Sequence, residues 1–134
     1  MNPILRNVIA VIVGAFLGGV LNMLIVVYGG SLIPLPEGVD NSTMEGLSAS
    51  MHLFEPKHFL MPFLAHALGT LFGAFVCTKI AVRQKLALAL LIGVFFLIGG
   101  AKMVIDLPSP AWFNATDLIL AYIPMAWIGY KLGS

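Results

Sequence analysis

The sequence predicts an all-α, polytopic membrane protein: four transmembrane helices with a short interfacial helix in the first outer loop, forming one domain over residues 1–134. Three observations predict it. The chain is 60% hydrophobic and 10% charged, with a mean hydropathy of +1.00, whereas soluble domains carry roughly 25% charged residues. It contains four apolar runs, each close to the roughly 20 residues that cross a bilayer core. Only one connection, Gly29 to Glu55, is long enough to hold structure of its own.

The first run, Val8 to Tyr28, is interrupted only by Asn22 and exceeds the roughly 7 to 15 residues of a signal-peptide core. It reads as a retained helix. A cleaved signal is the rival reading, for which Gly29-Gly30-Ser31 is small enough but offers no A-x-A. The loop then opens with Ser31-Leu32-Ile33-Pro34-Leu35-Pro36, where each proline pushes its predecessor out of the helical region, so an extended run is expected. Farther on, Ser42-x-x-Glu45 reads as a capping box, and Met44, Leu47 and Met51 form one apolar stripe. A short helix across the bundle mouth follows.

The second run starts at Pro56, with Glu55 at the N-cap, and extends to about Ala81; proline suits a first helical position because its missing N–H has no partner there. Val82 to Lys85 is a tight turn. The third and fourth runs are Leu86 to Ile105 and Phe113 to about Tyr130. Pro62 and Pro124 each remove one helical hydrogen bond, freeing the carbonyls of His58 and Leu120 and predicting kinks. Gly14-x-x-x-Gly18 and Gly69-x-x-x-Gly73 permit close helix approach.

Arg6, Lys79, Arg83, Lys85 and Lys131 fall on one side of this layout, Lys57 and Lys102 on the other. Positive residues stay inside, so both termini are expected in the cytoplasm. All six acids lie on the outer side. A net charge of +1 gives no basic face, which excludes nucleic acid as a partner. The single cysteine, Cys77, excludes an intramolecular disulfide and CxxC chemistry.

Ionisable groups in hydrocarbon are costly, so their positions carry the functional signal. Here they cluster by depth. His66 lies ten residues after Pro56, about 15 Å down the second span. Asn22 reaches a similar depth in the first span, His58 lies near the outer end of the second, and Lys102 and Asp117 lie one turn below the outer ends of the third and fourth. Lys102 points away from the headgroups, since side chains tilt toward a helix N-terminus. It is expected to pair with Asp106 at i+4 or with Asp117 across the bundle. Asp117 could instead cap its own helix with Asn114, and His66 could serve as a neutral hydrogen-bond partner to Asn22 or Tyr122. No metal site is expected: His58 and His66 are about 12 Å apart along a helix, too far to share one ion.

The segment Met51-His52-Leu53-Phe54-Glu55-Pro56-Lys57-His58-Phe59, continued by Pro62-Phe63-Leu64-Ala65-His66-Ala67-Leu68-Gly69-Thr70, resembles a family of small four-helix bacterial inner-membrane proteins with no assigned activity. The resemblance implies the four-span topology over nearly the whole chain and carries over no catalytic or binding residue. The chain departs from small fluoride channels, lacking their glycine–arginine signature, and from small multidrug pumps, lacking a glutamate in the first span.

The functional expectation is binding or permeation of a small solute, ion or lipid headgroup in an outer-leaflet polar cavity of Asn22, His58, His66, Lys102, Asp106 and Asp117, in a homo-oligomer within the lipid bilayer. No cofactor is implied. The competing readings are a membrane enzyme acting on a lipid or quinone at the outer surface, with His58 or His66 as general base, and an accessory subunit of a larger complex.

Overall fold

The computed structural model describes residues 2–134. Among them there is no strand. Helix α1, Pro3–Gly29, is capped by the Asn2 side chain, which accepts the Ile4 N–H at 2.8 Å, and has proline in its first turn. Helices α3, Leu60–Ile80, and α4, Lys85–Asp106, form the other long elements. A 3₁₀ turn, Pro56–Phe59, leads into α3. Three segments, Pro3–Gly29, Pro56–Ile80 and Lys85–Asp106, are long and apolar enough to cross a membrane, which suggests a membrane protein.

The fourth apolar run differs from the expected single helix. It is two half-length helices, α5, Ala111–Leu120, and α6, Ile123–Gly133, joined at Ala121 and Tyr122. Pro124 sits in the first turn of α6 and cannot donate to Leu120, so the chain restarts a helix there instead of kinking through. Pro62 likewise produces no kink. It is the third residue of α3, where the backbone N–H would have no helical partner in any case.

Helices α1 and α3 pack backbone to backbone through the two small-residue motifs. A Cβ added at Gly14 would lie 2.6 Å from the Gly73 carbonyl oxygen, and one at Gly18 would lie 2.6 Å from that of Gly69. The motifs therefore serve contact within one chain, and no side chain larger than hydrogen fits between them. At the end carrying the termini, the contact is tied by polar clasps. Arg6 Nε donates to the Ile80 carbonyl at 2.7 Å, while Asn7 donates to Arg83 O at 3.1 Å and accepts the Val82 N–H at 3.0 Å. These bonds occupy backbone groups that the end of α3 leaves open. The core nearby is made of small residues, among them Ala10, Ala74, Cys77, Ala89 and Ala126 around Ile92.

The long connection closes over the opposite end. Helix α2, Met44–Ser50, begins one residue later than the capping box implied: Thr43, not Ser42, accepts the Gly46 N–H, at 2.9 Å. Ser42 is taken by Asp40 instead, donating from its N–H at 3.0 Å and its hydroxyl at 2.6 Å. Those two donors hold the Asp40 carboxyl below its ordinary value of 3.8. Of the predicted stripe, Leu47 and Met51 pack with Phe54, Phe59, Leu107 and Phe113, while Met44 stays exposed.

Candidate functional site

The break between α5 and α6 assembles the most unusual polar group of the fold. Asp117 is the seventh residue of α5 and only 3% exposed. Its two carboxylate oxygens are both used: His66 Nδ1 from α3 lies 2.8 Å from Oδ1, and the Tyr122 hydroxyl donates to Oδ2 at 2.9 Å. Tyr122 reaches back because it sits at the break, five residues on, where the helix no longer dictates its direction. Its ring stacks on His66, with centroids 5.8 Å apart at 25°, and is 2% exposed. The ring also lies where a side chain on Gly100 of α4 would be, so a glycine there is what admits it.

A buried carboxylate needs this number of donors, because each oxygen left bare would carry its full desolvation cost. With Nδ1 donating to the carboxylate, the free ring nitrogen of His66 is Nε2. The Thr70 hydroxyl donates to the His66 carbonyl at 2.7 Å, fixing the local backbone.

His66 and Asp117 lie at the floor of a cavity of about 520 Å³ between the ends of α1, α3, α4 and α5, roofed by the long connection. Its wall is mainly apolar, with Val26, Met61, Met103 and Leu107 from the helices and Leu47 and Met51 from the roof. No Lys or Arg among the described residues lines it. His58 lies at the wall higher up. Its Nδ1 accepts the Glu55 N–H at 2.8 Å, so the proton of that ring is on Nε2. His58 is 7% exposed and shapes the entry to α3, a buried role that its place at a helix start does not disclose.

The structure thus brings His66 and Asp117 into direct contact and puts His58 on the same cavity. The other three residues singled out from the sequence lie elsewhere. Lys102 pairs with Asp106 at 2.5 Å and is 74% exposed, and neither lines the cavity. The pairing with Asp106 is the local alternative of the two expected. Asn22 packs against Gly69 in the α1–α3 contact and does not line the cavity, and the His66 Nδ1 is taken by Asp117. Asp117 does not cap α5, whose N-cap is Pro110; Asn114 instead exchanges hydrogen bonds with Ser109. The bridging role of Tyr122 between His66 and Asp117 was not legible, because it depends on Pro124 ending a helix. Among the described residues, no three His, Cys, Asp or Glu side chains form a group that could hold a metal ion. No protein-family model, curated protein or solved structure matches the chain.

Proposed function

We propose that the chain is a bacterial inner-membrane protein that binds a small amphiphilic molecule in the cavity beneath the long connection. The observation that carries this is the pairing of a mainly apolar cavity with a buried carboxylate–imidazole couple at its floor, the usual composition of a small-molecule site. In this reading both termini are cytoplasmic, following the five cationic residues at their end of the bundle, and the cavity opens in the outer leaflet. The fourth crossing is made by α5 and α6 in series, together about 34 Å if in line.

Binding is favoured over permeation. Below His66 the α1–α3 contact is closed by Gly14, Gly18, Gly69 and Gly73, and a conducting path needs polar lining through its full depth. The cavity is walled by one chain, so a homo-oligomer is not required for binding. A second reading has its own observation. An imidazole oriented through Nδ1 by a buried carboxylate, with Nε2 free, is the arrangement of a general base, so the bound molecule could also be transformed.

The test fills the cavity. Val104 lines it from α4, and Val104→Trp is expected to remove the amphiphile that co-purifies with the wild-type protein, as read by mass spectrometry of the native complex, with melting temperature retained. A wild-type protein that carries no such molecule, or a variant that keeps it, contradicts the proposal.

A further inference from the structure

The hydrogen-bonding groups around the cavity define the class of molecule that fits it, an inference that rests on the binding function proposed above. At the floor, both oxygens of Asp117 are occupied and the Thr70 hydroxyl is turned onto the backbone. Ser109 and Asn114 satisfy each other. Asn41, on the roof, is exposed to solvent, so the group left over at the floor is His66 Nε2. With the proton on Nδ1 it offers a lone pair, and a lone pair on a side chain that lines a mainly apolar cavity calls for a donor from the ligand. Higher in the cavity, His58 Nδ1 is already an acceptor, so its Nε2–H is a donor. A ligand is therefore met by an acceptor at depth and a donor nearer the mouth.

Charge narrows the class. With no Lys or Arg among the described residues lining the cavity and a carboxylate at its floor, a phosphate or carboxylate head would be buried without a countercharge. Lys102 cannot supply one, being held by Asp106 outside the cavity. Shape narrows it further. Phe54, Phe59 and Phe113 line the wall, with Phe59 and Phe113 packed at 4.6 Å between centroids, and His66 stacks with Tyr122 at the floor. Such surfaces favour a flat ring. The volume of about 520 Å³ lies in the range that takes a ring with part of an alkyl or prenyl tail.

We propose that the cavity takes a neutral amphiphile whose head is a hydroxyl-bearing aromatic ring, a phenol or hydroquinone, with that hydroxyl donating to His66 Nε2. Asp117 and Tyr122 are positioning residues: they fix the imidazole so that its acceptor edge meets the ligand.

Calorimetric titration of the full protein in lipid nanodiscs tests this with 4-nonylphenol, its methyl ether 4-nonylanisole, and dodecyl phosphate. The phenol is expected to bind about tenfold more tightly than the ether, the value of one well-made hydrogen bond, and dodecyl phosphate more weakly than both. In His66→Phe, which keeps a ring against Tyr122, phenol and ether should bind alike. If that variant does not fold, the wild-type ratio alone decides. Equal binding of phenol and ether, or tighter binding of dodecyl phosphate, overturns the assignment, and if Val104→Trp abolishes that binding, the cavity still stands as a site. Absence of binding by all three probes removes the binding function itself.

Discussion

Replacing Tyr122 by Phe deletes one oxygen and leaves the ring in place against Gly100 and His66. The consequence falls on Asp117, whose Oδ2 loses its donor at 2.9 Å while remaining buried. A hydrogen bond to a charged group is worth about 1.5–3 kcal/mol in water-soluble proteins, but bonds between membrane helices reach at most about 1.7 kcal/mol. A loss of about 1.5 kcal/mol is therefore expected for Tyr122→Phe. The same substitution made in an Asp117→Leu background should cost almost nothing, because there the hydroxyl has no carboxylate to serve and its removal takes away an orphaned donor. The coupling between the two sites is thus about 1.5 kcal/mol, measurable as a double-mutant cycle from reversible unfolding in detergent. Additivity within about 0.5 kcal/mol would mean that the tyrosine is held by packing alone, and the argument that Asp117 needs two donors would fail.

Three further outcomes follow from other parts of the fold. Gly73→Ala would place its Cβ 2.7 Å from the Gly14 carbonyl oxygen and should destabilise by about 1–3 kcal/mol, whereas Gly19→Ala, whose Cβ meets nothing within 4 Å, should be neutral or stabilising by up to about 1 kcal/mol; thermal unfolding of the two variants checks the contrast. Gln84 holds a left-handed backbone at φ 52°, ψ 41° in the turn before α4, so Gln84→Gly should raise stability by about 1 kcal/mol, again read from unfolding. Asp40 has its carboxyl held below 3.8 by Ser42, so its contribution to the order of residues 40–50 is complete above the ordinary value and is lost as pH falls through the lower, folded one. Hydrogen-exchange protection of that segment, taken relative to the intrinsic rate, should therefore fall below about pH 4 in the wild type, and Asp40→Ala should already be less protected at neutral pH and show no such onset.

Much of the fold was readable because hydrocarbon-length apolar runs and their breaks are one-dimensional signals. The runs starting at Val8, Pro56 and Leu86 correspond to the three long helices, and the tight turn at Val82–Lys85 is where α3 gives way to α4. The fourth run misled because mean apolarity does not report whether proline kinks a helix or ends it; Pro124 falls in the first turn of α6, with Tyr122 at its N-cap. Depth counting put His66 and Asp117 in the same leaflet but about two turns apart, whereas they meet directly. It could not resolve azimuth. Lys102 and Asn22 share the leaflet but face other ways, toward the exposed side of α4 and into the α1–α3 contact. His58 was placed on the cavity, but its burial was not legible for the same reason: the 3₁₀ turn, which position alone does not reveal, rolls its ring inward onto the Glu55 N–H.

The central claim, that Asp117 orients His66 so that Nε2 is presented as an acceptor to a cavity ligand, is tested most directly by nitrogen NMR of the imidazole rings in lipid nanodiscs. His66 should show a protonated Nδ1 and an unprotonated Nε2, with the Nε2 resonance moving on addition of 4-nonylphenol. His58, whose Nδ1 accepts a backbone N–H, should show the opposite tautomer and serves as the internal standard. A His66 ring protonated at Nε2, or one whose Nε2 signal is indifferent to the phenol while the phenol binds, would contradict the account.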